Sequence, residues 1–316
     1  MSDYAHADDL LHRNDGDPLW QESHWLMWHD VSAGIGGLHR LAIHPVAGTT
    51  TFWCGVMASD GTRYRAEGWR LPRPEAAEGA FVVTPTQRLR FIDGELHLEV
   101  DEPGCEVHLA FAPFHPMARY MHGDIIPTAG APDHFEAGGR VTGHCVLDGR
   151  RRDIDGLAFR DRSWGPRNYE VSLSHRWVAG TFGPELSFSA ITVAAIDGSL
   201  LGDGIVIRDG QAHRAVDVDI VVHLEADGMT HRGGEVTLIT ASGEMLTVRC
   251  ETIDATLFTV GDRGAYAGVD SICRAESEGR IGFCDLEVSN NPRRGRAMPL
   301  LALRANLVDG ISRARG

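Results

Sequence analysis

The dipeptide Asp-Gly occurs ten times along this chain, beginning at residues 15, 60, 93, 148, 155, 197, 203, 209, 227 and 309. Asp-Gly tolerates the positive φ angles that two-residue hairpin turns demand at both central positions. A chain punctuated in this way folds into short antiparallel strands, and the segments between the turns agree. Alternating or β-branched runs occupy Arg88–Phe91, Glu95–Val100, Val141–Leu147, Phe188–Ile196, Gly204–Arg208, Ala215–Glu225, Glu235–Thr240 and Met245–Glu251. In Glu95–Val100 the alternation is strict, as for a strand with one wet face. The best helix candidates, near Asp3–Arg13 and Met298–Leu307, are short and terminal. Turn signals spaced roughly 8–12 residues apart indicate an all-β sandwich or barrel.

One antiparallel barrel would be large for 316 residues, so two barrel-like halves are expected. The boundary falls near Tyr169–Ser174, because a new set of strands begins at His175-Arg176-Trp177. The expected domains are therefore 1–172 and 173–316, packed together because no Pro/Ser-rich linker separates them. Asn290–Arg296 reads as an exposed polar turn.

Charge and residue usage exclude several functions. A net charge of −14 lacks the basic footprint that nucleic acid requires. The basic residues are all arginine, which removes Schiff-base chemistry and the P-loop lysine. Ala33–Gly37 is glycine-rich but lies between β-type segments, so a hairpin turn is expected rather than a dinucleotide loop. The six cysteines form no CxxC pair and read as reduced core residues, which points to the cytoplasm. The acidic start lacks an apolar leader, and no run of about 18 apolar residues is present, so no integral membrane segment is expected. The histidines around His115, His122, His134 and His144 are irregularly spaced, and no metal site is expected.

Two constellations remain. The stretch Asp148–Tyr169 reads DGRRRDIDGLAFRDRSWGPRNY. Asp148-Gly149 and Asp155-Gly156 read as two turns that bracket a short strand, followed by Arg160, Asp161, Arg162, Ser163, Trp164, Gly165 and Arg167. Asp161 has two readings: an ionised partner of Arg167 or Arg160 that ties the structure together, or a buried general acid. Trp164 is a core or pocket-wall residue in either case, and Ser163 a hydrogen-bond partner. The second constellation is Trp20–Asp30. There strand alternation puts His24 and Trp28 on one face and Trp25 and His29 on the other. It serves either as a barrel core or as the lining of an apolar ligand pocket.

The run His134-Phe135-Glu136 … Gly143 … Leu147-Asp148-Gly149 … Ile154-Asp155-Gly156 … Arg160-Asp161-Arg162-Ser163-Trp164-Gly165-Pro166-Arg167 resembles the signature of the AttH and carotenoid 1,2-hydratase (hydroxyneurosporene synthase)-like superfamily. Glu22-Ser23 … Gly36-Gly37 … Pro45 is similar to the start of bacterial members. The resemblance implies two lipocalin-like (calycin-type) β domains. It also implies a cofactor-independent hydratase, dehydratase or isomerase acting on a hydrophobic isoprenoid- or steroid-like substrate through a tertiary carbocation. Under it Asp161 is the acid, with Glu136 and His134 as further catalytic candidates. Trp164, Arg167, Tyr169, Trp177, His24, Trp28 and His175 are the substrate-binding candidates, and Arg167 orients Asp161. Many members carry a histidine after the aspartate, where this chain has Arg162. A non-catalytic binding protein for an apolar molecule and a pericyclic cyclase that confines a polyene are the alternatives. A homodimer is a possible assembly.

Overall fold

The computed structural model describes residues 4–75, 79–120, 133–168, 172–195, 199–226, 230–260, 266–290 and 311–312. The first sheet contains β1 (Trp20–Asp30), β2 (Ile35–His44), β3 (Thr49–Ala58), β4 (Arg63–Pro72), β5 (Ala80–Thr84), β6 (Gln87–Ile92), β7 (Glu95–Glu102), β8 (Cys105–Pro113), β9 (Ala118–Arg119), β10 (Asp133–Leu147) and β11 (Arg150–Pro166). Its order is β4-β3-β2-β1-β11-β10-β8-β7-β6-β5, with β9 against β10, and it curls into a nearly closed barrel. The second sheet contains β12 (Ser172–Thr181), β13 (Leu186–Ala195), β14 (Leu200–Arg208), β15 (Gln211–Leu224), β16 (His231–Thr240), β17 (Met245–Val260), β18 (Tyr266–Ser277), β19 (Arg280–Asn290) and β20 (Ile311–Ser312). Pairing of β16 with β17 closes eight of its strands into a barrel, and β20 adds to β17. The expected all-β, two-domain lipocalin-like fold is what forms.

Hairpin turns form where the sequence places them. Asp93-Gly94, Asp148-Gly149 and Asp209-Gly210 take φ of 53° and 86°, 49° and 74°, and 48° and 77°, positive at both central positions. Glu278-Gly279 does the same at 52° and 74° without an aspartate. Among the described residues, two of the dipeptides lie inside strands. Asp203-Gly204 lies inside β14, and Asp155-Gly156 lies inside β11. A Cβ on Gly156 would stand 2.5 Å from the His29 carbonyl oxygen, so this glycine permits close approach to β1 rather than a reversal. The expected short strand between two turns is therefore one continuous strand of 17 residues.

The 3-10 turn His6–Asp9 is the helical structure found within the Asp3–Arg13 candidate. The Met298–Leu307 candidate and most of the Asn290–Arg296 turn lie outside the described residues, as do His122 and Tyr169. Side-chain alternation builds each core. Leu26, Trp28, Val107, Leu109, Cys145 and Trp164 belong to the first, and Phe188, Val206, Leu238, Val248 and Leu286 to the second. Among the described residues no helix is long and apolar enough to cross a membrane.

Candidate active site

Strand β11 is central in the first sheet, between β1 and β10, and its alternation separates the Arg160–Trp164 cluster onto two faces. Across the sheet Glu136, Asp161, Trp25, Arg40 and Trp53 stand opposite one another in a single transverse row. The neighbouring row runs Phe135, Arg162, His24, Leu41 and Phe52 and faces the barrel interior.

The interior face is an ionic plug. Arg162 is fully buried and donates to the carbonyl oxygens of Asp8 at 2.8 Å and Leu10 at 2.7 Å, and to the Glu22 carboxylate. Its guanidinium carbon lies 5.1 Å from the centroid of Trp164, on which His12 also stacks at 3.9 Å. Burial works against the charge on Glu22, yet hydrogen bonding from His12 and the field and hydrogen bond of Arg162 hold its carboxyl below the ordinary value. Arg160 meets Asp9, which also accepts from the Tyr4 hydroxyl. His24 Nε2 lies 3.1 Å from the Asp9 carbonyl oxygen. The arginines flanking Asp161 thus anchor the N-terminal segment inside the barrel, and Arg160 is not the partner of Asp161.

The opposite face carries Asp161, His134, Glu136 and Ser163. Asp161 is buried, and its Oδ2 is hydrogen-bonded to His134 Nε2. The same His134 nitrogen lies 3.8 Å from Glu136 Oε1. Burial pushes the Asp161 carboxyl up to about 7, against the opposing fields of Arg167, Arg40, Arg162 and Arg160. Burial, with Arg167 nearby, holds His134 well below the ordinary imidazole range, so this ring is neutral. The result is a carboxyl and a neutral imidazole sharing one proton, poised to release it near neutral pH. Arg167 donates to Ser163 Oγ at 3.2 Å and acts on Asp161 through its charge. His134 is thus a hydrogen-bond partner of Asp161, and Arg167 the strongest positive field on it. The donor atoms of His134, Glu136 and Asp161 lie within 4.8 Å of one another, so the three could also hold a dication. The positive fields of Arg167 and Arg40 oppose one there.

Strand alternation redistributes the other candidates. Trp28 is buried in the first core, where its Nε1 donates to His39 Nε2 at 3.1 Å. Trp28, Trp164 and His24 lie across the sheet from Asp161 and cannot form its wall. The aromatics on the face of Asp161 include Trp25 and Trp53, in edge contact at 5.9 Å, with Arg40 4.8 Å over the Trp53 ring. Sequence reasoning missed Trp53 and Arg40 because their relation to Asp161 arises from the register of β1, β2 and β3. His175 and Trp177 belong to the second sheet, on one face of β12. There His175 Nε2 lies 2.7 Å from Glu287 Oε1, and Trp177 Nε1 donates to Ser189 Oγ at 3.0 Å. Their sheet also buries Asp285, whose carboxyl is pushed well above its usual range by burial and by Glu287. No local motif marks that residue.

The sequence profile of a domain of unknown function, DUF7064, matches residues 5–292. The chain belongs to the DUF7064 family. No curated protein sequence matches this DUF7064 chain. Solved structures do. A protein of Nitrosomonas europaea assigned as AttH superposes with a TM-score of 0.65 at 10% identity, covering 88% of this chain and 94% of the other. CghA in complex with Sch210972 gives 0.62 at 11% identity, with 86% and 88% covered. Kievitone hydratase from Nectria haematococca gives 0.59 at 10%, again with 86% and 88% covered. At these identities the likeness is one of fold: this DUF7064 protein shares the two-domain, lipocalin-like β architecture of these structures.

Proposed function

We propose that this protein is a cofactor-independent hydratase, dehydratase or isomerase for a hydrophobic, isoprenoid- or steroid-like small molecule. The observation that carries the reading is the buried Asp161–His134 pair, whose carboxyl keeps its proton to about pH 7. A carboxyl protonates a carbon–carbon double bond only if burial holds the proton on in the resting state. Arg167 and Arg40 then stabilise the carboxylate left behind. In hydration, the Asp161 O–H bond breaks as the new C–H bond forms, leaving a tertiary carbocation. Water adds to the cation and loses a proton to Glu136 or His134, from which the pair is recharged. Dehydration runs the same steps backwards from a protonated tertiary alcohol. Trp25 and Trp53 supply π faces that stabilise positive charge without capturing it. A fold shared with kievitone hydratase is consistent with this reading.

We further propose 1–172 and 173–316 as the domain division. His175, Trp177 and Tyr169 remain substrate-binding candidates on chemical grounds.

The test is mass spectrometry of small molecules extracted from the native protein, followed by turnover of the recovered compound by wild type and Asp161→Asn. A recovered alkene or tertiary alcohol converted by wild type, with at least a 100-fold loss in the variant, supports acid catalysis. Full activity in a folded Asp161→Asn protein removes Asp161 from the mechanism. A recovered ligand that wild type never converts favours a binding protein.

A further inference from the structure

A second histidine cluster lies on the outer surface of the first barrel. Strands β8 and β10 place His108 and His144 directly opposite each other, with ring centroids 5.1 Å apart. The inward residues of the same segments, Val107, Leu109 and Cys145, belong to the core, so both imidazoles face outward. Glu106, two residues before His108, reaches across so that its Oε1 lies 2.9 Å from His144 Nε2.

We infer that Glu106, His108 and His144 form a binding site for a first-row transition-metal dication of the Zn2+, Ni2+ or Cu2+ class. Their donor atoms lie within 4.8 Å of one another. Tetrahedral zinc with bonds of about 2 Å needs donors roughly 3.3 Å apart. Side chains that are 37% (His108), 19% (His144) and 44% (Glu106) exposed close that gap by small rotations. Two imidazoles and one carboxylate suit this class of ion and leave a position for water.

Two further features show a site with support. Asp101 Oδ1 lies 2.7 Å from His108 Nε2, which orients the ring and leaves Nδ1 to coordinate. Asp101 is itself held by Arg88 at 3.1 Å. The close approach of β10 to β8 is set by Gly143, at φ +147°, where a Cβ would stand 2.0 Å from the His108 carbonyl oxygen. The paired imidazoles therefore depend on a glycine beside them, on strands held by the core. The site uses none of the groups assigned to the proposed reaction, and would bridge β8 and β10.

Calorimetric titration of the full chain with ZnCl2, against the double variant His108→Asn/His144→Asn, tests the assignment. Wild type should bind one equivalent with micromolar affinity and gain several degrees of thermal midpoint in excess zinc. The double variant should lose at least tenfold in affinity, and Asp101→Asn about tenfold. Absence of binding in wild type, or equal binding in the folded double variant, overturns the site. Should the double variant fail to fold, electron paramagnetic resonance of wild type with one equivalent of Cu2+ decides. Coupling to two imidazole nitrogens is expected, and a spectrum without it refutes the proposal.

Discussion

Replacing Asp161 by Asn separates an acid from a structural ion pair by the pH dependence of its effect on stability. Asn keeps the shape and cannot ionise. Asp161 is buried, and its carboxyl is raised from 3.8 to about 7. A raised folded-state value contributes stability that is fully present below the unfolded value and is lost as pH rises through the folded one. Most of that loss falls between pH 5 and pH 8. Roughly two pH units of titration at about 1.4 kcal/mol each give a change of about 2–3 kcal/mol. The assay is urea denaturation of wild type and Asp161→Asn at both pH values. Taking the difference cancels every other titrating group, provided the two proteins share an unfolded state. The variant should gain about 2–3 kcal/mol relative to wild type between pH 5 and pH 8. An ionised aspartate paired with arginine predicts no such change: the variant would be less stable than wild type by the same amount at both pH values, by up to about 3–5 kcal/mol. That result would refute the acid assignment.

The remaining predictions address the surroundings of that carboxyl and the frame that holds it. Arg40→Met removes a field that lowers the Asp161 value; the alkaline limb of the pH–activity profile should therefore move up, by about half a unit to one unit. Arg162→Met leaves the Glu22 carboxylate buried beside an apolar chain, and should cost about 3–5 kcal/mol in denaturant titrations. The double variant Arg162→Met/Glu22→Gln should recover most of that loss. Gly143→Ala should cost more than about 3 kcal/mol, because its Cβ meets backbone at 2.0 Å. Gly149→Ala, at φ +74° with nothing within 4 Å, should cost only about 1 kcal/mol by the same measurement.

The architecture was legible because its signals are local. Asp93-Gly94, Asp148-Gly149 and Asp209-Gly210 carry the backbone angles of their turns in their own chemistry. The same dipeptide misled at Asp155-Gly156, where glycine answers a close approach from His29 that no nearby residue announces. Part of the candidate site was equally readable. Alternation in Trp20–Asp30 separated His24 and Trp28 from Trp25, as the strand does. Applied to Arg160–Trp164, that rule also separates Asp161 from Trp164, although their nearness in sequence suggested one cluster. What was not readable depends on register. That His134 meets Asp161, and that Arg40 and Trp53 share its face, follows from how β10, β2 and β3 align with β1 and β11. The plug formed by Asp8, Asp9 and His12 needs a chain separation of about 150 residues to close.

The central claim is that Asp161 holds a proton at neutral pH. Infrared difference spectroscopy of wild type minus Asp161→Asn, titrated from pH 4 to pH 9, reads that proton through the carboxyl C=O band. A protonated-carboxyl band that persists to neutral pH and disappears with a midpoint of about 7 is predicted. A band already gone by pH 5, with carboxylate absorption in its place, would contradict the account.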